Sequence, residues 1–317
     1  MDLLAAMKAF VAINDAGSLS AAATVLDRAP PTMVRTLATL EEFLGVRLLV
    51  RTTRQMALTE EGRVYLDRCR RILADVDEAA LAVTSSDSEP QGEIRVTAPI
   101  LFGQRHVAPA ITEFVRQYPE VKVDLLLLDR MVHLVEEGLD VGIRIGQLQD
   151  SSMIAIPVGQ MRRVVVASPT FLSSSRRLER PEELAKHPCV LHHGSAPAGR
   201  WMFSDPHSAR KEPISVSVAQ SSRFGSNQAV AVVAACESGL GFGRFLSYQV
   251  EPEIRDGRLE TLLEAFEPPR LPVQIVYPDA RLMSPRLRRF LDWMKAELST
   301  RPEIRQRTQL PEPLPSG

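Results

Sequence analysis

The dominant hydrophobic period of the chain changes near residue 84, and that change restricts what it can fold into. Up to about residue 83, apolar residues recur every three or four positions, the spacing of amphipathic helices. Beyond "TSSDSEPQG", residues 84 to 92, short β-branched runs alternate with helical ones. This stretch concentrates Ser, Asp, Pro and Gly, which support neither ladder, so a domain boundary is expected there. With 317 residues the chain can form two or three such units.

In the N-terminal part, Leu3, Leu4, Met7, Phe10, Val11 and Ile13 mark a first helix that stops at "NDAG". Ser18 or Ser20 can cap a second helix reaching Leu26. A third is expected from about Pro30 to Leu44, closed by Gly45. Pro30 and Pro31 open it without breaking it, because N–H groups in the first turn have no intrahelical acceptor and proline's φ is already helical. Met33, Leu37, Leu40 and Leu44 form one stripe, and Thr32, Arg35, Thr36 and Thr39 fall elsewhere. "VRLLVRTTRQMALT" then gives two β-like runs around Arg51 to Arg54, a basic wing. Helices followed by such a hairpin make a winged helix-turn-helix.

From Thr59 a longer helix is expected. Leu66, Cys69, Leu73, Val76, Ala80 and Val83 alternate in steps of three and four, like the a and d positions of a coiled-coil seam, and predict dimerisation. The other reading is a helix packed on its own domain. After residue 92 come "EIRVTA" (strand), "QRHVAPAITEFVRQY" (helix), "VKVDLLLL" (strand), "MVHLVEEG" (helix) and "DVGIRIG" (strand). That rhythm predicts parallel strands covered by helices. About 200 residues of it predict two α/β lobes facing a cleft, and the Pro-rich "RPEIRQRTQLPEPLPSG" is expected to be an unstructured tail.

The net charge of −1 carries no sign of a polyanionic partner, so a basic surface has to be local. Cys69, Cys189 and Cys236 are odd in number and far apart, which fits a reducing compartment better than a disulfide framework. "MDLLAAMKAFVAINDAGS" lacks the basic and apolar regions of a signal peptide, and no apolar run reaches about 18 residues. A cytoplasmic protein with no membrane partner is expected.

Taken together, "FVAINDAGSLSAAATVL", "LEEFLGVRLLVRTTRQMALTEEG", "GEIRVTAPILFGQRHVAPAITEFVRQYPEV", "LVEEGLDVGIRIG" and "ESGLGFG" resemble a LysR-type transcriptional regulator over about residues 2 to 298. The resemblance implies a helix-rich N-terminal domain at 1–58, a linker and dimerisation helix at 59–86 and a hinge at 87–92. It further implies a two-lobed α/β effector domain of the type 2 periplasmic-binding-protein kind at 93–298, and a tail at 299–317. It implies a homo-oligomer, a dimer of dimers, on an interrupted palindrome of double-stranded DNA, with RNA polymerase as a further contact. Around the third helix this chain departs from the family's usual polar residues, with Ala29, Pro30 and Val34 in their places.

In a helix-turn-helix the N-terminal residues of the second helix approach base edges. Here these are Thr32, Met33, Arg35 and Thr36, with Thr39 behind them. Arg51, Thr53 and Arg54 on the wing suit a narrow minor groove, and Ser18 and Ser20 suit phosphate. In the effector domain Thr97 and Pro99 lie where a strand hands over to a helix, the place at which α/β folds bind ligands. The resemblance adds Arg144, Gly146 and Asn227. Arg144 and the helix starts suggest an anionic or aromatic metabolite, with an ion pair to Asp129 or Asp140 as the alternative for Arg144.

No catalytic residue, metal or cofactor is expected. "CVLHHG" holds Cys189, His192 and His193, but adjacent strand residues point to opposite faces and no second ligand pair stands at zinc spacing. "GLGFG" at 239 to 243 follows a helix instead of opening one, unlike a dinucleotide loop. The competing functional class is a solute-binding or enzymatic α/β domain whose N-terminal helices only oligomerise.

Overall fold

The computed structural model describes residues 1–51, 56–84, 89–148, 153–174, 178–193, 199–206, 212–278, 283–302 and 304. At residue 51 and over 77–84 it describes the backbone alone. The chain divides into two compact units, Met1–Gly92 and Glu93–Gly317.

The first unit is a helical cluster. Helix α1 (Leu3–Ala16) starts where the Asp2 carboxylate accepts from the Ala5 N–H at 3.0 Å, and stops at Gly17 with φ 67°. Ser18 accepts from the Ala21 N–H at 3.1 Å and caps α2 (Leu19–Val25). Helix α3 (Pro30–Leu44) has no side-chain cap at Ala29, places its two prolines in the first turn and ends at Gly45 with φ 70°. Strands β1 (Leu49–Arg51) and β2 (Met56–Leu58) pair antiparallel, and α4 runs from Glu60 to Thr84. Phe10, Ile13, Met33, Leu40, Leu48 and Cys69 meet in the centre of this unit, each fully buried.

The second unit consists of two lobes. Lobe 1 is a five-stranded sheet of β3 (Gly92–Ala98), β4 (Val121–Leu127), β5 (Val141–Ile145), β6 (Met153–Met161) and β14 (Leu271–Pro278), in the order β4-β3-β5-β14-β6. Lobe 2 is built on β7 (Arg163–Ala167), β8 (Cys189–His192), β11 (Ser222–Ser226), β12 (Phe242–Leu246) and β13 (Glu260–Leu262), in the order β11-β8-β12-β7-β13. The hairpin β9 (Arg200–Ser204) and β10 (Pro213–Ser217) packs on one face of it. The helices are α5 (Ile100–Phe102), continued by a wide turn over Gly103–Val107 into α6 (Ala108–Gln117), then α7 (Pro169–Ser174), α8 (Ala229–Glu237), α9 (Ser247–Arg255) and α10 (Pro285–Thr300).

Three expectations are corrected here. The sheets are mixed: β14 pairs antiparallel with β5 and β6, and β7 pairs antiparallel with β12 and β13. The reason is that the chain crosses between lobes at Arg162 and returns through Glu264–Phe266, so the crossing strands enter each sheet against its direction. The Arg162 guanidinium clasps Glu267 at 2.9 and 2.6 Å and ties the two crossings together. "MVHLVEEG" is a run of turns, not a helix, held by Leu139 N–H on the Leu134 carbonyl. The expected tail also begins later than residue 299. Ile304 is fully buried and its carbonyl accepts from the Gln160 N–H at 2.9 Å, over Gly159, where a Cβ would lie 2.0 Å from the Ile304 oxygen.

Candidate nucleic-acid interface and effector cleft

On α3 the side facing inward is Met33, Leu37 and Leu40. Met33 has no exposed surface, so it is a core residue and not a base contact. Helical spacing placed it both in the apolar stripe and near the helix tip, and burial decides for the stripe. Thr32 and Arg35 are exposed, and Thr36 and Thr39 are half-buried beside them. Val34, Ala38 and Glu41 line an open groove on the flank toward the wing, with Val46, Arg47 and Val50 on its other side. Glu41 fixes that flank: its Oε1 accepts from the Leu48 and Leu49 N–H groups at 2.8 and 3.1 Å, which ties α3 to β1. Ser20 is exposed, and Ser18, also exposed, is committed to its cap. The backbone of Arg51 pairs with Met56, whereas Thr53 and Arg54 lie outside the described residues.

The expected seam on α4 is corrected in part. Leu66, Cys69 and Leu73 are buried in the core of their own unit, so they are not free to meet another chain. Val76 is exposed, and with Ile72 it forms a second apolar strip on the same helix. The side chains of Ala80 and Val83 lie outside the described residues. Burial raises the Cys69 thiol to about 11 and the Cys189 and Cys236 thiols to about 12, so none is a ready nucleophile at neutral pH.

In the second unit, β3 ends at Ala98 and a helix starts at Ile100, with Pro99 half-buried between them. Thr97 is fully buried, and its Oγ1 has no hydrogen-bond partner among the described residues. The helix start is occupied by the chain's own carboxylate: Asp129 Oδ1 accepts from the Ile100 N–H at 3.0 Å. Asp129 also acts electrostatically on two lobe 2 residues, His192 at the end of β8 and Tyr248 at the start of α9. Burial holds the His192 imidazole below its ordinary range, against the opposing pull of the Asn227 backbone and of Asp129. The lobes touch where the Tyr248 ring meets Phe102 edge-on at 5.3 Å and its carbonyl accepts from Arg105 at 2.6 Å. Asp129, His192 and the exposed Asn227 thus come together where the two lobes meet, and Thr97 lies on the strand that leads to the Ile100 helix start capped by Asp129.

Arg144 shares a face of the lobe 1 sheet with Thr97, because Thr97 pairs with Gly142 and Arg144 stands two residues further along β5. It is buried on a sheet face, pairs across from Gln274, and donates to the Val132 carbonyl at 3.3 Å. Neither expected ion pair forms: Asp129 caps Ile100, and the Asp140 carboxylate accepts from the Arg95 N–H at 2.7 Å. Gly146, with φ 124°, turns the chain at the end of β5.

Residues 4–63 match the bacterial regulatory helix-turn-helix protein of the lysR family, and residues 87–299 match the LysR substrate binding domain. The chain belongs to the LysR family of transcriptional regulators. It is 31% identical to an HTH-type transcriptional repressor of Pseudomonas aeruginosa over 100% of this chain and 98% of that one. It is 33% identical to the regulator CrgA of Neisseria meningitidis over 91% of this chain and 95% of CrgA. The solved CrgA structure superposes with a TM-score of 0.57 at 31% identity, covering 92% of this chain and 98% of that one. The full-length Vibrio cholerae virulence activator AphB gives 0.57 at 25% identity, covering 93% and 99%.

As a LysR-type regulator the chain joins a DNA-binding helix-turn-helix to an effector-binding domain of the periplasmic-binding kind, and regulators of this family form oligomers. No described helix is long and apolar enough to cross a membrane. The glycines of "GLGFG" serve packing: Gly241, with φ 155°, lets the Pro188 carbonyl approach to 2.3 Å of where a Cβ would stand. In the sequence Asp129 is legible only as a mate for Arg144, and Tyr248 carries no signal. An acid placed 29 residues from the N–H it caps leaves no local sequence signal.

Proposed function

We propose that this regulator places the N-terminal half of α3 in the major groove, with Arg35 as the principal base or phosphate contact and Thr32, Thr36 and Thr39 beside it. The wing residues Arg51, Thr53 and Arg54 enter the adjoining minor groove, and Ser20 meets phosphate. The observation that supports this is the division of α3 into a buried Met33–Leu37–Leu40 side and a free side whose one cation is Arg35. Fluorescence anisotropy with the intergenic duplex upstream of the gene tests it. Affinity is expected to fall steeply, by about three orders of magnitude or more, between about 50 and 200 mM salt. A flat response would favour the reading in which the N-terminal helices only oligomerise.

The second copy docks on the exposed strip of α4, and a dimer of dimers then spans an interrupted palindrome in the cytoplasm, with RNA polymerase within reach. Ile72 and Val76 are each 39% exposed one turn apart on α4, which is the support for this surface. Ile72→Asp with Val76→Asp is expected to lower the sedimenting mass below that of the parent without lowering helix content. An unchanged mass would remove the strip from the interface.

The effector sits where Thr97, Pro99, Asp129, His192 and Asn227 meet, and its binding alters how the lobes or dimers are disposed, by its differential affinity for the two arrangements. Asp129 already fills the helix start at Ile100, so that N–H is closed to an anion, while Arg144, on the same sheet face as Thr97, supplies the positive charge for one. The buried Thr97 hydroxyl supports the assignment. Thr97→Val removes a buried hydroxyl without a protein partner and is expected to stabilise the chain by about 1 kcal/mol in thermal melts, while transcription in a reporter strain stops responding to inducer. A variant that still responds would remove Thr97 from the site.

A further inference from the structure

Two arginines of lobe 2 are not absorbed by either the DNA surface or the cleft. In the β7–β12 pairing, Arg163 stands opposite Leu246 and Arg244 opposite Val165, so the two side chains are diagonal neighbours on one face of the sheet. Diagonal neighbours lie about 7–8 Å apart, near enough for two guanidinium groups to reach one small ligand. The face is the one covered by the β9–β10 hairpin, whose Trp201 shares a core cluster with Val165 and Phe242. Both arginines stand at the same end of the sheet as His192, because β12 runs parallel to β8 from the Phe242–Cys189 pair onward.

Their charges are poorly served. Arg244 lies over the Trp201 ring at 5.3 Å and donates to the Met202 carbonyl at 3.4 Å, a long bond. Among the described residues no carboxylate forms an ion pair with either arginine, although their neighbour Arg162 holds two, Glu264 and Glu267. Burial lowers both guanidinium groups from their ordinary value, and Arg244, repelled also by Arg163, is brought down to about 9. Both stay charged at neutral pH, so the lobe carries two adjacent, partly desolvated cations with no counter-charge among the described residues. Such a pair is costly unless something negative meets it.

We propose that Arg163 and Arg244 form an anion site of lobe 2 that takes a small doubly charged oxyanion of the phosphate kind, gripped between the two guanidinium forks at the edge of the Trp201 ring. A dianion matches the two charges, and planar forks are suited to paired oxygens. The site lies within one lobe and does not depend on where the effector binds in the cleft.

The test is a thermal-shift titration of the full-length protein with inorganic phosphate against sodium chloride at matched ionic strength, with Arg163→Gln, Arg244→Gln and Arg163→Lys alongside. The parent is expected to show a saturable rise in Tm with phosphate that chloride does not give. In either Gln variant the half-saturating concentration is expected to rise about tenfold or more, the effect of losing a charge-assisted pair. Each Gln variant in chloride alone should melt no lower than the parent, because an uncompensated cation has been removed. Arg163→Lys keeps the charge without the fork and should fall between parent and Gln; it also serves if a Gln variant fails to fold. A rise that does not saturate, or that persists undiminished in the variants, is the general stabilisation by an excluded salt and would overturn the site.

Discussion

Replacing Arg35 by Ala is expected to lower affinity for operator DNA by about 5- to 150-fold and to leave the melting of the first unit unchanged. Arg35 is exposed one turn into α3, beside Thr32, and makes no contact with the core formed by Met33, Leu37 and Leu40. A bidentate contact to a base is worth about 1–3 kcal/mol, which sets the range of the loss. The slope of affinity against salt separates two roles: a lost phosphate contact reduces it by about one, whereas a lost base contact leaves it and relaxes sequence preference at one position. Met33→Ala supplies the contrast. Met33 is fully buried, so its truncation should cost about 2–5 kcal/mol of stability and lose DNA binding only as the unit unfolds. If Arg35→Ala bound as tightly as the parent, the groove assignment of α3 would fail.

That contrast also marks how far the sequence could be read. The three N-terminal helices were legible because their ends are signalled locally: Gly17, Ser18 and Gly45 cap or stop within one turn, and the prolines fit the first turn of α3. Which apolar strip of α4 turns inward was not legible. Leu66, Cys69 and Leu73 repeat at helical spacing, and Ile72 and Val76 do so as well, and spacing identifies a face without identifying what covers it. In the second unit the handover at Thr97 to Ile100 was readable from the strand-to-helix change. The partners of Arg144 were not, because they are the Val132 carbonyl and a strand, Leu271–Pro278, that joins the sheet from more than a hundred residues away. Pairing at that separation fixes which strands are antiparallel and leaves no periodic mark. The same holds for Ile304, whose burial rests on the absence of a side chain at Gly159.

The largest loss of stability in the effector domain is expected from Gly241→Ala. Gly241 has φ 155°, a conformation that costs an L side chain roughly 1–3 kcal/mol. A Cβ there would also stand 2.3 Å from the Pro188 oxygen and 2.6 Å from its carbon, both backbone atoms that cannot swing aside. The same Pro188 carbonyl accepts from the Phe242 N–H at 2.9 Å, the bond at which β8 and β12 begin to pair. Relief therefore means parting two strands in the middle of the lobe 2 sheet, with Phe242 and Cys189 on one side and Val190 and Cys236 on the other. The strain and the forced strand separation together should cost about 3 kcal/mol or more, a large part of a domain's net stability. Gly257→Ala is the control, since its φ is 71° but nothing lies within 4 Å of its Cβ, so only the conformational cost applies. Hydrogen exchange should show protection lost across β7, β8 and β12 in the first variant and retained in the second. Because Met1–Gly92 is a separate compact unit, the Gly241→Ala chain should keep its protection in α1 to α3 and still hold DNA while failing to answer inducer. Equal melting of the two glycine variants would show that the approach of Pro188 to Gly241 does not hold lobe 2 together.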